Sequence, residues 1–556
     1  MSGLLVCIIG IIIGFSYQAG DGPAYFSPAP TGAALALSGA ACLLVGLFAS
    51  LRARGVLRVR ADRGLAAESY ARARRFSWFS VLGLYGVCIH LYDYPHLVRS
   101  DEWLGLGGVP VAEAAMILLP FFAFSAANLA GLYGADRLLR ASSWSVWRYE
   151  GFHLRQFLVP VFPFMVFSAI LDVFPMVAPV EEAMFVYPAL FTAFYIGFMV
   201  VLFALAPVLF CILWKVERLP EGSLRRRALE IARQNGVSLR DFYIWRTGGS
   251  NIANAMVTGV LAPLRCVFVT DTMIELFPEE EVLAVLAHEI GHARYRHMQL
   301  YLLLAVSFMA IVSGTDEALA EGVGEVAAKL GAGAQVAYAL VAFALVAVFW
   351  GGVFAFTSRR LEQAADAFAA RAAGAGAFAA ALARVAVLSG GPRAASAWLH
   401  FPIARRIAMV QGPGPCGSGG AVGCGLKKAF ALAGATVLLG AGAFAYQISD
   451  SLDSRTTFER TFIYAWYKKD YGRALETAEA ALRNCPGWAH AHYLRAGALD
   501  ELGRYEEARE SLLAAMELEP GEKEYARQLD LLEEKNRGKR RKKDGSLPGD
   551  GNPAAE

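Results

Sequence analysis

Apolar residues in this chain come in long blocks and do not alternate with polar ones at a strand or surface-helix period. Blocks fall at 3–17, 33–51, 76–94, 113–133, 157–178, 185–214, 298–313, 335–357 and 428–447. A helix crosses a bilayer core with about 17–25 apolar residues, so the pattern predicts nine spans. The first, Leu4 to Tyr17, has no basic leader and no A-x-A site, and is taken as a span. Met298 to Ser313 is short and follows a charged helix, so it is either a span or a tilted or re-entrant helix.

Basic residues between the blocks are distributed one-sidedly. Arg52, Arg54, Arg58, Arg60, Arg63, Arg72, Arg74 and Arg75 follow the second block, and Arg137, Arg140, Arg148 and Arg155 follow the fourth. Residues 18–32 have no Lys or Arg, 95–112 have only Arg99, and 179–184 carry two glutamates. Because basic loops stay in the cytoplasm, parity places Lys215 to His297 and Ser358 to Lys428 on the cytoplasmic face. Together these features predict a multi-pass membrane protein, and the bacterial look of its composition places it in a bacterial inner membrane.

Composition narrows the class further. The chain has 556 residues, of which 56% are hydrophobic and 18% charged, too apolar for a soluble globule and too rich in core formers for a disordered chain. Lys+Arg 52 against Asp+Glu 49 leaves a net charge of +3, which gives no electrostatic basis for binding nucleic acid. The eight cysteines include no CxxC, and Cys416 and Cys424 are eight apart, so redox chemistry and a cysteine metal site are not indicated.

Chemistry concentrates at 277–292. Pro278 and three glutamates, Glu279 to Glu281, suit the first turn of a helix, which then runs apolar to His288-Glu289-Ile290-Gly291-His292. His288 and His292 are i and i+4 and share a face, so they can bind one Zn²⁺ while Glu289 acts as general base. A catalytic zinc needs a third protein ligand and one open position. Glu362 and Asp366, also i and i+4, lie in Ser358–Arg371 on the same membrane face. One can complete a His₂Glu set and the other can orient a ligand histidine, although Arg359, Arg360 and Arg371 also fit an ordinary solvated, ion-paired face.

These residues resemble the HtpX-type and CAAX prenyl protease-type membrane zinc endopeptidases. The resemblance runs from about Leu224 to Met409. It includes Leu229-Glu-Ile-Ala-Arg-Gln-Asn-Gly236, Asn254-Ala-Met-Val-Thr-Gly259, Val267-Phe-Val-Thr-Asp-Thr-Met273, the HEIGH stretch, and Ser358-Arg-Arg-Leu-Glu-Gln-Ala-Ala-Asp366. It implies that Glu362 is the third ligand of one zinc per chain, that Asp366 supports the site, and that an edge strand near Asn254 to Thr258 receives the substrate backbone. A His-Pro segment followed by Arg-Ile appears as His400-Phe401-Pro402 and Arg406-Ile407, with the proline displaced by one. On the resemblance His400 donates to the oxyanion and Arg406 anchors the ligand loop; the alternative is that His400 caps the turn before Pro402. His297, His90, His96 and His153 fit no ligand spacing.

Beyond the last block, Tyr471 and Tyr505, Ala474 and Ala508, and Pro486 and Pro520 are each 34 apart, the period of tetratricopeptide repeats. Leu502-Gly503-Arg-Tyr505 resembles that consensus, whereas Lys468-Lys-Asp-Tyr471 lacks its glycine. Either 455–470 or 521–535 is expected to cap the repeats, and parity puts them on the extracytoplasmic side.

The expected fold is mainly α: a polytopic helical membrane protein with a zincin-type domain carrying a small edge sheet, and a helical repeat module. The expected divisions are a membrane domain at 1–214, a metallopeptidase domain at 215–426 with spans inserted at 298–313 and 335–357, a span at 427–448, repeats at 455–535 and a basic tail at 536–556. The expected activity is zinc-dependent hydrolysis of peptides or misfolded membrane proteins, with the bilayer and a protein on the repeats as partners. The alternative is a non-catalytic membrane scaffold, against which the intact Glu289 argues.

Overall fold

A computed structural model describes residues 3–15, 28–60, 63–99, 104–106, 110–330, 344–388, 401–412 and 420–543. The chain is mainly helical with one small sheet. Among the described residues, seven helices are long and apolar enough to cross a membrane: Thr31–Val59, Val111–Arg140, Val146–Val173, Pro188–Leu213, His297–Gly314, Ala344–Leu388 and Gly425–Leu452. Two expected blocks fall outside this set. Gly3–Phe15 is only 13 residues long. The block at 76–94 forms the second half of the helix Arg63–His90, whose first half carries Arg72, Arg74 and Arg75. The arginine-rich segment after the second block is largely helical, because Pro28–Arg60 continues through Arg52, Arg54 and Arg58; arginine is a good helix former and nothing there breaks the helix.

The chain divides into two compact units. The first comprises Met1–Val173 and Ile196–Ala441. Its membrane part packs around fully buried aromatics: the Phe121 ring lies 5.7 Å from both Tyr85 and Phe157, and the Tyr85 hydroxyl donates to the Ile117 carbonyl at 3.0 Å. That bond satisfies a polar group that is costly to bury alone.

The sheet of this unit has strands β1 (Val216–Arg218), β2 (Asp241–Trp245), β3 (Ala255–Thr258) and β4 (Cys266–Thr270), in the order β1-β2-β4-β3. β2 and β4 run parallel, whereas β1 pairs antiparallel with β2 and β3 antiparallel with β4. Every β4 residue is buried, and β3 is left as an edge. The helix Glu279–Arg294 packs through Val282, Leu283, Leu286 and Ile290 into the same core as Val257, Val267 and Val269. Its three leading glutamates, which also suit the positive helix end, hold two other helices, Ser223–Gln234 and Ala375–Leu388. Glu279 accepts from Ser223 (2.7 Å), Glu280 pairs with Arg227 (2.6 Å) and Glu281 with Arg384 (2.8 Å).

The second unit comprises Phe174–Tyr195 and Gly442–Glu556. Helices Ser454–Tyr467, Tyr471–Asn484, Ala489–Glu501, Tyr505–Leu518 and Lys523–Lys543 follow one another. They share a core of Phe462, Ala474, Leu475, Leu499, Ala508, Leu512 and Leu532. Tyr471 and Tyr505 both open a helix of 14 residues. Before Tyr505 the turn has Gly503 at φ 76°, and before Tyr471 it has Lys469 at φ 57°, so the turn keeps its left-handed geometry without the glycine. The turn helix Ala178–Val186 belongs to this unit. Glu181 accepts from Tyr464 and Lys468, each at 2.9 Å, and Glu182 pairs with Arg473. The basic run at the C-terminus stays helical through Lys543, and Lys535 lies 2.9 Å from Asp500.

Candidate metal centre

Three side chains can converge here because two helices cross closely. Glu279–Arg294 carries His288, Glu289 and His292; Ala355–Ala369, with a π-helical turn at each end, carries Glu362 and Asp366. Gly291 permits the approach, since a Cβ there would lie 3.2 Å from Phe368 and 3.3 Å from the Ala365 Cα. One ligand atom from each of His288, His292 and Glu362 lies within 4.8 Å of the others. The two Nε2 atoms are 3.1 Å apart, and the Glu362 oxygens lie 3.5 Å from His288 and 3.4 Å from His292.

Each ring is held from behind. His288 Nδ1 lies 3.0 Å from Asp366, and Phe378 stacks on the ring at 5.5 Å. Asp366 is gripped at both oxygens by Arg406, at 2.6 and 2.9 Å, and Arg406 also lies 3.9 Å from Glu362. His292 Nδ1 faces His297 Nδ1 at 2.7 Å. His297, set aside on spacing, is fully buried. Arg296 at φ 56° turns the chain between Glu279–Arg294 and the next helix, His297–Leu330, and brings His297 back to His292.

The donors fit a divalent cation. Glu289, Glu362 and Asp366 are buried carboxylates, and Arg406 is the one guanidinium among the contacts just described. The carboxylates thus outnumber the guanidinium, which favours a cation at the cluster. Burial opposes charge on both rings. On His288 the Asp366 and Glu362 carboxylates outweigh it and push the ring up to about 10, whereas on His292 burial prevails and lowers the value.

Glu289 sits beside this cluster, and its Oε2 accepts from the Val257 N–H at 2.8 Å. Val257 lies in β3, which therefore turns this amide away from β4 and toward the site. Asn254 stands just before β3 and pairs through its backbone with Thr270, at 2.9 and 3.1 Å. His400 lies outside the described residues. The structure thus brings His288, Glu289, His292, Glu362, Asp366 and Arg406 together, and adds His297, Phe378 and the Val257 amide. The Phe378 contact had no sequence signal, and His297, five residues after His292, fits no ligand spacing.

The description "Peptidase family M48" matches residues 218–414. That segment, about a third of the chain, is similar to this family. Over 186 residues the chain is 31% identical to the protease HtpX of Pseudomonas putida, strains GB-1 and W619. The alignment covers 33% of this chain and 60% of each relative, so the chain spans less than two thirds of the curated proteins it matches. The crystal structure of S. mikatae Ste24p superposes with a TM-score of 0.45 and 15% identity, over 70% of this chain and 100% of that one. The M48 segment includes both crossing helices and Arg406. With its apolar helices, the chain is a multi-pass membrane protein.

Proposed function

We propose that the chain is an integral membrane zinc endopeptidase acting on peptides or misfolded membrane proteins, with its site on the cytoplasmic face of a bacterial inner membrane. The observation that carries this is the placement of Glu289 beside a His₂Glu donor set and an edge strand. A structural zinc site has four protein ligands and no need of a neighbouring base.

Zn²⁺, held by His288, His292 and Glu362, would supply Lewis acidity and bring a water to a near-neutral pKa. Glu289 takes the proton of the attacking water and returns it to the leaving amine. Val257 fixes one Glu289 oxygen by a main-chain bond and leaves the other for that proton. Asp366 and His297 set the two imidazoles through Nδ1, so that each Nε2 points inward. Arg406 keeps Asp366 charged and in place. The open edge of β3 aligns a substrate strand through main-chain bonds, which makes the site tolerant of sequence. His400, on the family resemblance, is proposed to donate to the oxyanion, and Asn254 to open the substrate strand.

The helices at 454–543 are proposed as a tetratricopeptide module that holds a protein partner; the 34-residue period and the shared left-handed turn support it.

Chelation provides the test. Cleavage of casein and of an unfolded membrane protein by the chain in detergent should stop on zinc removal and return on adding zinc. Activity that survives complete removal would rule out the metal role.

A further inference from the structure

A cavity lies outside the metal centre and shares none of its residues. It measures about 60 Å³ and is lined by the first turns of the helix Val146–Val173, the end of the helix Pro188–Leu213 and the end of β2. Three aromatic rings form its wall: Trp245 stacks between Phe152 (5.6 Å, 15°) and Trp214 (4.1 Å, 9°). Trp144 braces the loop after β2 by donating its indole N–H to the Gly248 carbonyl at 2.7 Å.

Its rim is cationic, with Arg148, Arg155, Lys215 and Arg246. Arg246 is committed to Glu217 at 2.7 Å. Arg155 donates to the Gly151 carbonyl at 3.1 Å, and among the described residues no carboxylate is seen to pair with Arg148, Arg155 or Lys215. The wall also holds a buried donor, Trp214 Nε1, with no hydrogen-bond partner. Such a donor is expensive to bury unless something accepts from it, and three unneutralised cations beside it call for an anion. Both helices that line the cavity are candidate spans, and they meet it at their ends, Val146 and Leu213. Tryptophans at a span end mark the headgroup level, and basic pockets between spans on the cytoplasmic side take anionic headgroups.

We propose that this cavity binds the phosphate of an anionic phospholipid, with Arg148 and Lys215 paired to the phosphate, Trp214 donating to it, and the acyl chains in the bilayer. The site stands on its own residues and does not depend on the peptidase reading. A lipid held there touches Trp245 and Arg246, at the start of the connection that leads to β3.

The test uses the full chain in neutral detergent and follows tryptophan fluorescence and the unfolding midpoint. Three probes are titrated separately: a short-chain phosphatidylglycerol, the matching phosphatidylcholine, and inorganic phosphate. Phosphatidylglycerol should give a saturable change and a higher midpoint, and phosphatidylcholine should give neither. The double variant Arg148→Gln, Lys215→Gln should bind about tenfold or more weakly, with its unliganded midpoint at the parent value. Arg148→Lys, which keeps the charge, should bind close to the parent. Equal responses to both lipids, unchanged binding by the double variant, or loss of binding in Arg148→Lys would overturn the assignment. Inorganic phosphate binding as tightly as the lipid would overturn the lipid source.

Discussion

Asp366 touches no ligand atom of the metal set, yet it joins two buried charges. It lies 3.0 Å from His288 Nδ1 and accepts two bonds from Arg406. Asp366→Asn should therefore lower zinc affinity about 10–100-fold, as loss of a ligand's orienting carboxylate does. It should also destabilise the fold by about 3–5 kcal/mol, because the Arg406 guanidinium stays buried without its partner. Zinc competition with a chromophoric chelator and denaturant unfolding measure the two effects; unchanged zinc affinity would show that Asp366 is only a structural ion pair. His288, Glu289 and His292 are legible in the sequence because their relation is local, one turn of one helix. Glu362 and Asp366 are legible as a pair on one face, although spacing alone leaves open which is the ligand. The part of His297 is not local: it depends on the left-handed Arg296 and on where the next helix begins.

At the scale of elements, the edge strand and the repeat turn make separate claims. β3 offers its Val257 amide to Glu289 and keeps its pairing with β4. Proline is tolerated on an edge strand where the amide points away from the sheet, so Val257→Pro should retain zinc while cleavage falls roughly tenfold or more. Full activity in that variant would mean that the amide does not position the base. In the C-terminal helices, Lys469 adopts the conformation that Gly503 adopts 34 residues later. Lys469→Gly should stabilise the protein by about 0.5–1 kcal/mol, since a left-handed lysine is strained and a glycine is not. Thermal unfolding of the full chain should show a higher midpoint, and Gly503→Ala a lower one. Helix positions follow from apolar blocks, but helix ends do not. Pro28–Arg60 runs on through arginines that a hydropathy pattern assigns to a loop. The order of the four strands is likewise not local, because β2 and β4 pair directly in parallel although β3, the edge strand, comes between them in the sequence.

Over the whole molecule, the apolar segments do more than anchor the M48 segment. The helix from His297 and the described part of the next span, from Ala344, separate His292 from Glu362 in sequence. The chain leaves the site and returns to it through apolar helices, so the metal set closes only when those helices are in place. Zinc should then stabilise the assembled protein, because a ligand bound only by the folded state raises its stability. Whether this centre is a peptidase site or a structural metal site is decided by zinc content and casein cleavage of Glu289→Gln beside the parent chain in the same detergent. Both proteins should carry one zinc per chain, and only the parent should cleave. Cleavage by the variant at the parent rate, with zinc bound, would rule out Glu289 as the base.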